Sequence, residues 1–104
     1  MIKFIVISSL SNDVKVLEAN TLLPDEFVGA HYGHKSIDEY SDMHLIFNHC
    51  IEDGLGINKT VKSLFDLDFN GDCLIANYDP YIDVYYSLED EEIDYILRRV
   101  KENN

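Results

Sequence analysis

The apolar positions of the chain are spaced unevenly, and the spacing changes several times. Residues 2–9 form a nearly continuous apolar run, the pattern of a buried strand. Residues 13–23, DVKVLEANTLL, fit two periods. Val14, Leu17 and Ala19 lie near one another on a helix, while Val14 and Val16 alternate as on a strand returning from Ser11-Asn12, and the pattern leaves both open. At Ser36 the stretch SIDE has the form of a capping box, with Ser36 as the cap and Glu39 reaching back to it. Ile37, Tyr40, Met43 or His44, Phe47, and Cys50 with Ile51 then recur at three to four residues, and Gly54 supplies a left-handed close. This spacing predicts a helix over about 37–52.

Farther on the period drops to two. Val61, Phe65, Leu67 and Phe69 stand at odd positions and Lys62, Asp66 and Asp68 at even ones, which predicts a strand over 61–69. Asn70-Gly71 is the favoured central pair of a two-residue hairpin turn, and DCLIANY, residues 72–78, returns as its partner. A third strand over 81–86 follows the Asp79-Pro80 turn, with Tyr81, Asp83 and Tyr85 on one face and Ile82, Val84 and Tyr86 on the other. The second set is more apolar and is expected to face the core. Ser87 is then placed to cap a last helix, acidic over Glu89–Glu92 and basic at Arg98, Arg99 and Lys101, as the helix dipole favours. The sum is one α+β domain over 1–104: an antiparallel sheet, made of the N-terminal strand and a C-terminal three-stranded meander, packed with two main helices.

The stretch DLDFNGD, Asp66–Asp72, begins like a calcium loop of the EF-hand type. Such a loop is flanked by helices and closed by a bidentate carboxylate at its twelfth position, which here is Asn77. The amide cannot clamp the ion in that way, so no metal or other cofactor is expected. His31 and His34 have the spacing of a metal pair, but no carboxylate or thiol stands beside them at a recognised ligand spacing, and His44 and His49 point apart on the predicted helix.

Charge narrows the picture further. Twenty acids against eight bases give a net charge of −12, which argues against nucleic acid or an anionic membrane as direct partner and for a basic one. No apolar stretch approaches the roughly 20 residues that span a bilayer. The N-terminal run is broken by Ser8 and Ser9 without a cleavage site, so export is not expected and the sequon Asn58-Lys59-Thr60 has no use. Cys50 and Cys73 lie in no CxxC pair and fit buried thiols in a reducing cytoplasm. No nucleophile elbow, phosphate loop or dinucleotide fingerprint is present, so a catalytic role is not expected.

Between Lys62 and Arg98 stand ten acidic residues, no Lys, Arg or His, and five of the seven tyrosines. A field of one sign destabilises a small domain through self-repulsion, yet it speeds capture of an oppositely charged partner, and tyrosine is enriched at binding hot spots. The candidate contact residues are therefore Asp66, Asp68 and Asp72 of the predicted hairpin, Asp79 of the turn, Tyr81, Asp83 and Tyr85 of the third strand, and Glu89 and Asp90 at the start of the last helix. In size, charge and the stretch DLDFNGD…DPYIDVYYSLEDEE, the chain resembles the small acidic immunity proteins of bacterial polymorphic-toxin and contact-dependent growth-inhibition systems. The resemblance implies a cytoplasmic protein that binds and neutralises a cognate basic toxin, often a nuclease. The alternatives are a phage-type inhibitor that mimics DNA with its carboxylates, and after it a small enzyme or a metal-binding sensor.

Overall fold

The computed structural model describes residues 1–38, 41–49 and 56–103. Among them are six strands, β1 (Ile2–Ile7), β2 (Val14–Ala19), β3 (Tyr32–Ser36), β4 (Met43–Asn48), β5 (Cys73–Asp79) and β6 (Val84–Tyr86), and three helices, α1 (Asp25–Val28), α2 (Lys59–Phe65) and α3 (Asp90–Glu102). The strands form one antiparallel sheet in the order β2-β1-β5-β4-β3, with β6 paired to the end of β5. The architecture is α+β, as the sequence predicts.

β5 is central because its apolar run can be buried on both faces. Cys73 and Ile75 point into a core shared with Ile5, Ile7, Met43 and Leu45 and with Val61 and Leu64 of α2 and Ile93 and Ile96 of α3. Leu74 and Ala76 point the other way, onto a smaller core with Phe4, Ile46, Leu22 and Val28 of the α1 segment. α1 covers only part of that second face. The stretch 13–23, open between helix and strand, resolves as β2, an outer strand paired along its whole length with β1.

Two expected elements are different in the structure. In place of a helix over 37–52, β3 and β4 form a hairpin in which Tyr32 faces Asn48 and Ser36 faces His44. The i, i+3, i+4 pattern was a by-product of a strand buried on both sides: Met43, Leu45 and Phe47 go to one core and Ile46 to the other. Ser36 ends β3, and its hydroxyl donates to the Asp38 carbonyl (3.1 Å). Glu39, Tyr40 and residues 50–55, which the helix expectation also covered, lie outside the described residues. His34 stands on β3 and His44 on β4, with their rings 6.0 Å apart, while His31 and His49 lie just outside the two strands.

The strand expected over 61–69 is the helix α2 and an extended tail. Leu64 decides it. In a period of two it would stand on the polar face and forfeit about 1.5–3 kcal/mol of burial, whereas on a helix Val61, Leu64 and Phe65 share one side. Asn58 starts the helix: its Oδ1 accepts from the Val61 amide (3.1 Å), and its Nδ2 donates to the carbonyls of Ile7 (3.0 Å) and Gly71 (2.9 Å). Asn58 is 0% exposed, so the sequon is closed in the folded chain. Asp66 ends the helix in the left-handed conformation (φ 55°). A type I′ turn at Asn70-Gly71 needs positive φ at both residues. Here Gly71 has it (φ 78°) and Asn70 does not, pairing instead as a single bridge with Ile57.

The third expected strand begins later, at Val84, because residues 80–83 are the turn of the β5–β6 hairpin. Tyr81 and Asp83 are exposed, as expected, but the other side chains depart from the expected faces. Ile82, Val84 and Tyr86 are 67%, 45% and 40% exposed, while Tyr85 is half-buried against the smaller core. The alternation cannot run back through a turn, and the edge strand β6 lies beyond the reach of the main core. The last helix is capped at Glu89, two residues after Ser87, in a capping box with Glu92. Ser87 is otherwise engaged: its hydroxyl accepts from the Lys3 amide (3.0 Å) and donates to the Leu88 carbonyl (3.1 Å).

Candidate functional site

One end of the sheet gathers acidic side chains from separate segments. The β5–β6 hairpin carries two of them. Asp79 ends β5, and its Oδ1 accepts from the Tyr81 amide (2.9 Å), which fixes the turn. Asp83 takes a left-handed conformation (φ 54°), and its Oδ1 accepts from the Tyr78 hydroxyl (2.7 Å). That bond, before burial, raises the affinity of Tyr78 for its proton. Tyr81 projects from the turn at 96% exposure, with nothing of the fold covering its ring.

Beside the hairpin, Asp42 precedes β4 and accepts from the Tyr86 hydroxyl. That contact first, and burial second, push the Tyr86 hydroxyl up to about 12, so it stays a donor at any physiological pH. Glu89, Asp90, Glu91 and Glu92 occupy the cap and first turn of α3, where unpaired amides and the helix dipole favour anions. Lys3 reaches Asp90 (3.4 Å) and Glu18 (3.9 Å) from the first strand, an exposed and therefore weak neutralisation.

The remaining candidate residues stand elsewhere. Asp66 and Asp68 are both held by Lys62, at 3.0 and 3.2 Å, on the helical face of the sheet. One lysine is shared between two carboxylates, so the pair is only partly neutralised. Asp72 immediately precedes β5, at the opposite end from Asp79 and about 20 Å away along the strand. Its Oδ1 accepts from the amide (2.9 Å) and the hydroxyl (3.3 Å) of Ser9, a structural use that joins two loops.

Tyr85 belongs to a ring cluster on the sheet face that α1 leaves open. Its hydroxyl lies 2.7 Å from Nε2 of His34, with the two rings stacked at 5.4 Å. Tyr78 stands 4.3 Å from the same imidazole, and His44 and Tyr32 stand about 6 Å away on either side. Burial, with the positive potential of His44 adding to it and Asp83 opposing, lowers the proton affinity of His34. Burial and the neighbouring Tyr32 drive the Tyr85 hydroxyl far upward. Cys73 is buried, and burial pushes its thiol up to about 12, too high for a nucleophile or a ready metal ligand.

The end of the sheet therefore offers carboxylate acceptors, protonated phenols and ring faces, an arrangement suited to binding hydrogen-bond donors and cations. Sequence reading places Asp79, Tyr81, Asp83, Glu89 and Asp90 there. It misses Asp42, which lies inside the stretch expected to be helical, and Tyr86, which is expected in the core. Reading MHLIFN as a strand flanked by a turn would have brought Asp42 beside the hairpin. Comparison of the chain with protein-family models, with curated proteins and with solved structures finds no match.

Proposed function

We propose that the chain is a binding protein that captures and neutralises a basic partner protein, in the manner of the small acidic immunity proteins its sequence profile resembles, with a toxin domain, such as a nuclease, as the partner. The observation that carries this reading is the meeting of Asp42, Asp79, Asp83, Glu89 and Asp90 from three segments at one end of the sheet, where the turn of the β5–β6 hairpin presents a tyrosine that is 96% exposed. Such a ring adds stability to nothing in the fold. As a rigid amphipathic anchor within a field of carboxylates it fits the centre of an interface, where aromatic side chains supply affinity and charge supplies speed. The contact region is thus the hairpin and the start of α3. Asp66, Asp68 and Asp72 contribute through the long-range field.

Affinity capture from the native host identifies the partner, and stopped-flow mixing then tests the mechanism. The association rate is expected to fall by roughly tenfold or more between 20 and 500 mM salt while dissociation changes little, and Tyr81→Ala should raise the dissociation rate at least about fivefold. An association rate that is flat with salt would refute electrostatic capture. A captured host DNA-binding regulator would put the DNA-mimic reading in its place.

A further inference from the structure

We propose that the pocket between the start of β4, β6 and the first turn of α3 is a receptor for a guanidinium group, and that it takes an arginine side chain of the partner. The source of the arginine rests on the function proposed above; the chemistry of the pocket does not. The cavity measures about 370 Å³ and is lined by Ser41, Asp42, Asn77, Tyr86, Glu89 and Glu92.

Acids around a cavity are no site in themselves, and the decisive side chain is Asn77. It is 3% exposed, and its Nδ2 gives its hydrogens to the Ser87 carbonyl (3.0 Å) and to Oε1 of Glu92 (2.9 Å). Turning the amide over would set its oxygen against two acceptors, so the orientation is fixed. Oδ1 is then left buried with no donor. A buried acceptor without a donor is destabilising, and a ligand that brings an N–H relieves it.

The carboxylates around it are pinned in the same way. Asp42 holds the Tyr86 hydroxyl, Glu89 accepts from the backbone of Glu92, and Glu92 accepts from the Glu89 amide (2.9 Å) as well as from Asn77. Each carboxylate has about four lone-pair sites, so acceptor capacity remains after these bonds. What the pocket requires is a cation with many donors and no acceptor. A guanidinium has five N–H groups in a planar fork, pairs with carboxylates two bonds at a time, and sheds water more easily than an ammonium. The ring of Tyr86 in the wall suits a planar cation. Among the described residues no three His, Cys, Asp or Glu side chains converge as metal ligands do, which favours an organic cation over a metal ion.

The test uses the full chain, isotopically labelled, and acetyl-arginine methylamide as probe, with the uncharged citrulline analogue beside it. Followed by NMR at low salt, the side-chain amide of Asn77 should shift saturably with the arginine probe and stay still with citrulline. Asp42→Asn and Glu89→Gln should each weaken the probe's binding several-fold, with folding checked by the unchanged spectrum of the core. Equal shifts with citrulline, shifts confined to residues 79–83, or unaltered binding in both variants would overturn the proposal. So would saturation of the same amide by magnesium or calcium at lower concentration than by the probe. The probe reads the pocket and the salt dependence of association reads capture, so either can fail while the other stands.

Discussion

At the level of single side chains, the bond between Tyr85 and His34 joins the β5–β6 hairpin to the β3–β4 hairpin across the open face of the sheet. Removing the hydroxyl in Tyr85→Phe should cost about 1 kcal/mol, and removing the ring in Tyr85→Ala about 2–3 kcal/mol, measured by urea unfolding. Tyr85 thus acts in folding, which leaves Tyr81 as the exposed ring of the proposed interface. His34 also ties stability to pH. Its folded proton affinity lies below the ordinary value of 6.5, held there by burial and by His44 against the pull of Asp83, with Tyr32, Tyr78 and Tyr85 as its other neighbours. The unfolded chain therefore binds the proton first. Stability is at its full value above about pH 6.5 and is lost as the pH falls from there through the lowered folded value. Melting temperature should fall between pH 7 and 5.5, above the ordinary range of carboxylates, and the fall should be smaller in His34→Gln. An equal slope in both proteins would remove His34 as the cause.

At the level of elements, α2 is too short to persist by its own propensity and depends on its cap and its buried side. Asn58 serves both ends of that dependence, since one amide caps α2 and ties it to the carbonyls of Ile7 and Gly71. Asn58→Ala should lower stability by about 2–4 kcal/mol, more than a cap residue usually costs, because two buried carbonyls lose their donor as well. Asn58→Asp keeps the cap acceptor but sets a carboxylate against those carbonyls. It should destabilise at least as much, and chemical denaturation of the two variants checks the order. If the aspartate variant is as stable as the native chain, the Nδ2 bonds contribute nothing.

At the level of the whole molecule, the net charge of −12 weighs against folding wherever the acids meet without bases. Lys62 answers Asp66 and Asp68, and Lys3 answers Asp90, but Asp42, Asp79 and Glu89 crowd the site with no cation bonded to them among the ion pairs of the described residues. Screening should relieve this repulsion. Melting temperature is expected to rise by several degrees from 10 mM to 0.5 M sodium chloride, the opposite of the salt effect on partner association. A melting temperature that falls with salt would show that ion pairs outweigh repulsion in this chain.

Part of this fold is legible in the sequence alone. The N-terminal run is legible as a strand from its shortness and β-branched content, the return strand from the glycine turn before it, and the last helix from its acidic start and basic end, and with them comes the α+β class. The acids of the hairpin and of the α3 start were legible as charge. The β3–β4 hairpin was not, because MHLIFN is apolar to both cores and so has no period, and the Ser36 capping box is a local preference that strand pairing overrides. Nor was α2, whose seven residues hold one decisive side chain, Leu64, against an alternating background. The pocket was the least accessible of all. Asn77 is a polar residue within an apolar strand, and its meaning depends on Ser87, Glu92 and Asp42, which the backbone brings beside it from 10 to 35 positions away. Composition sets the sign of the field around this chain; only the pairing of β5 with β4 and β6 decides where that field closes around an unmatched acceptor.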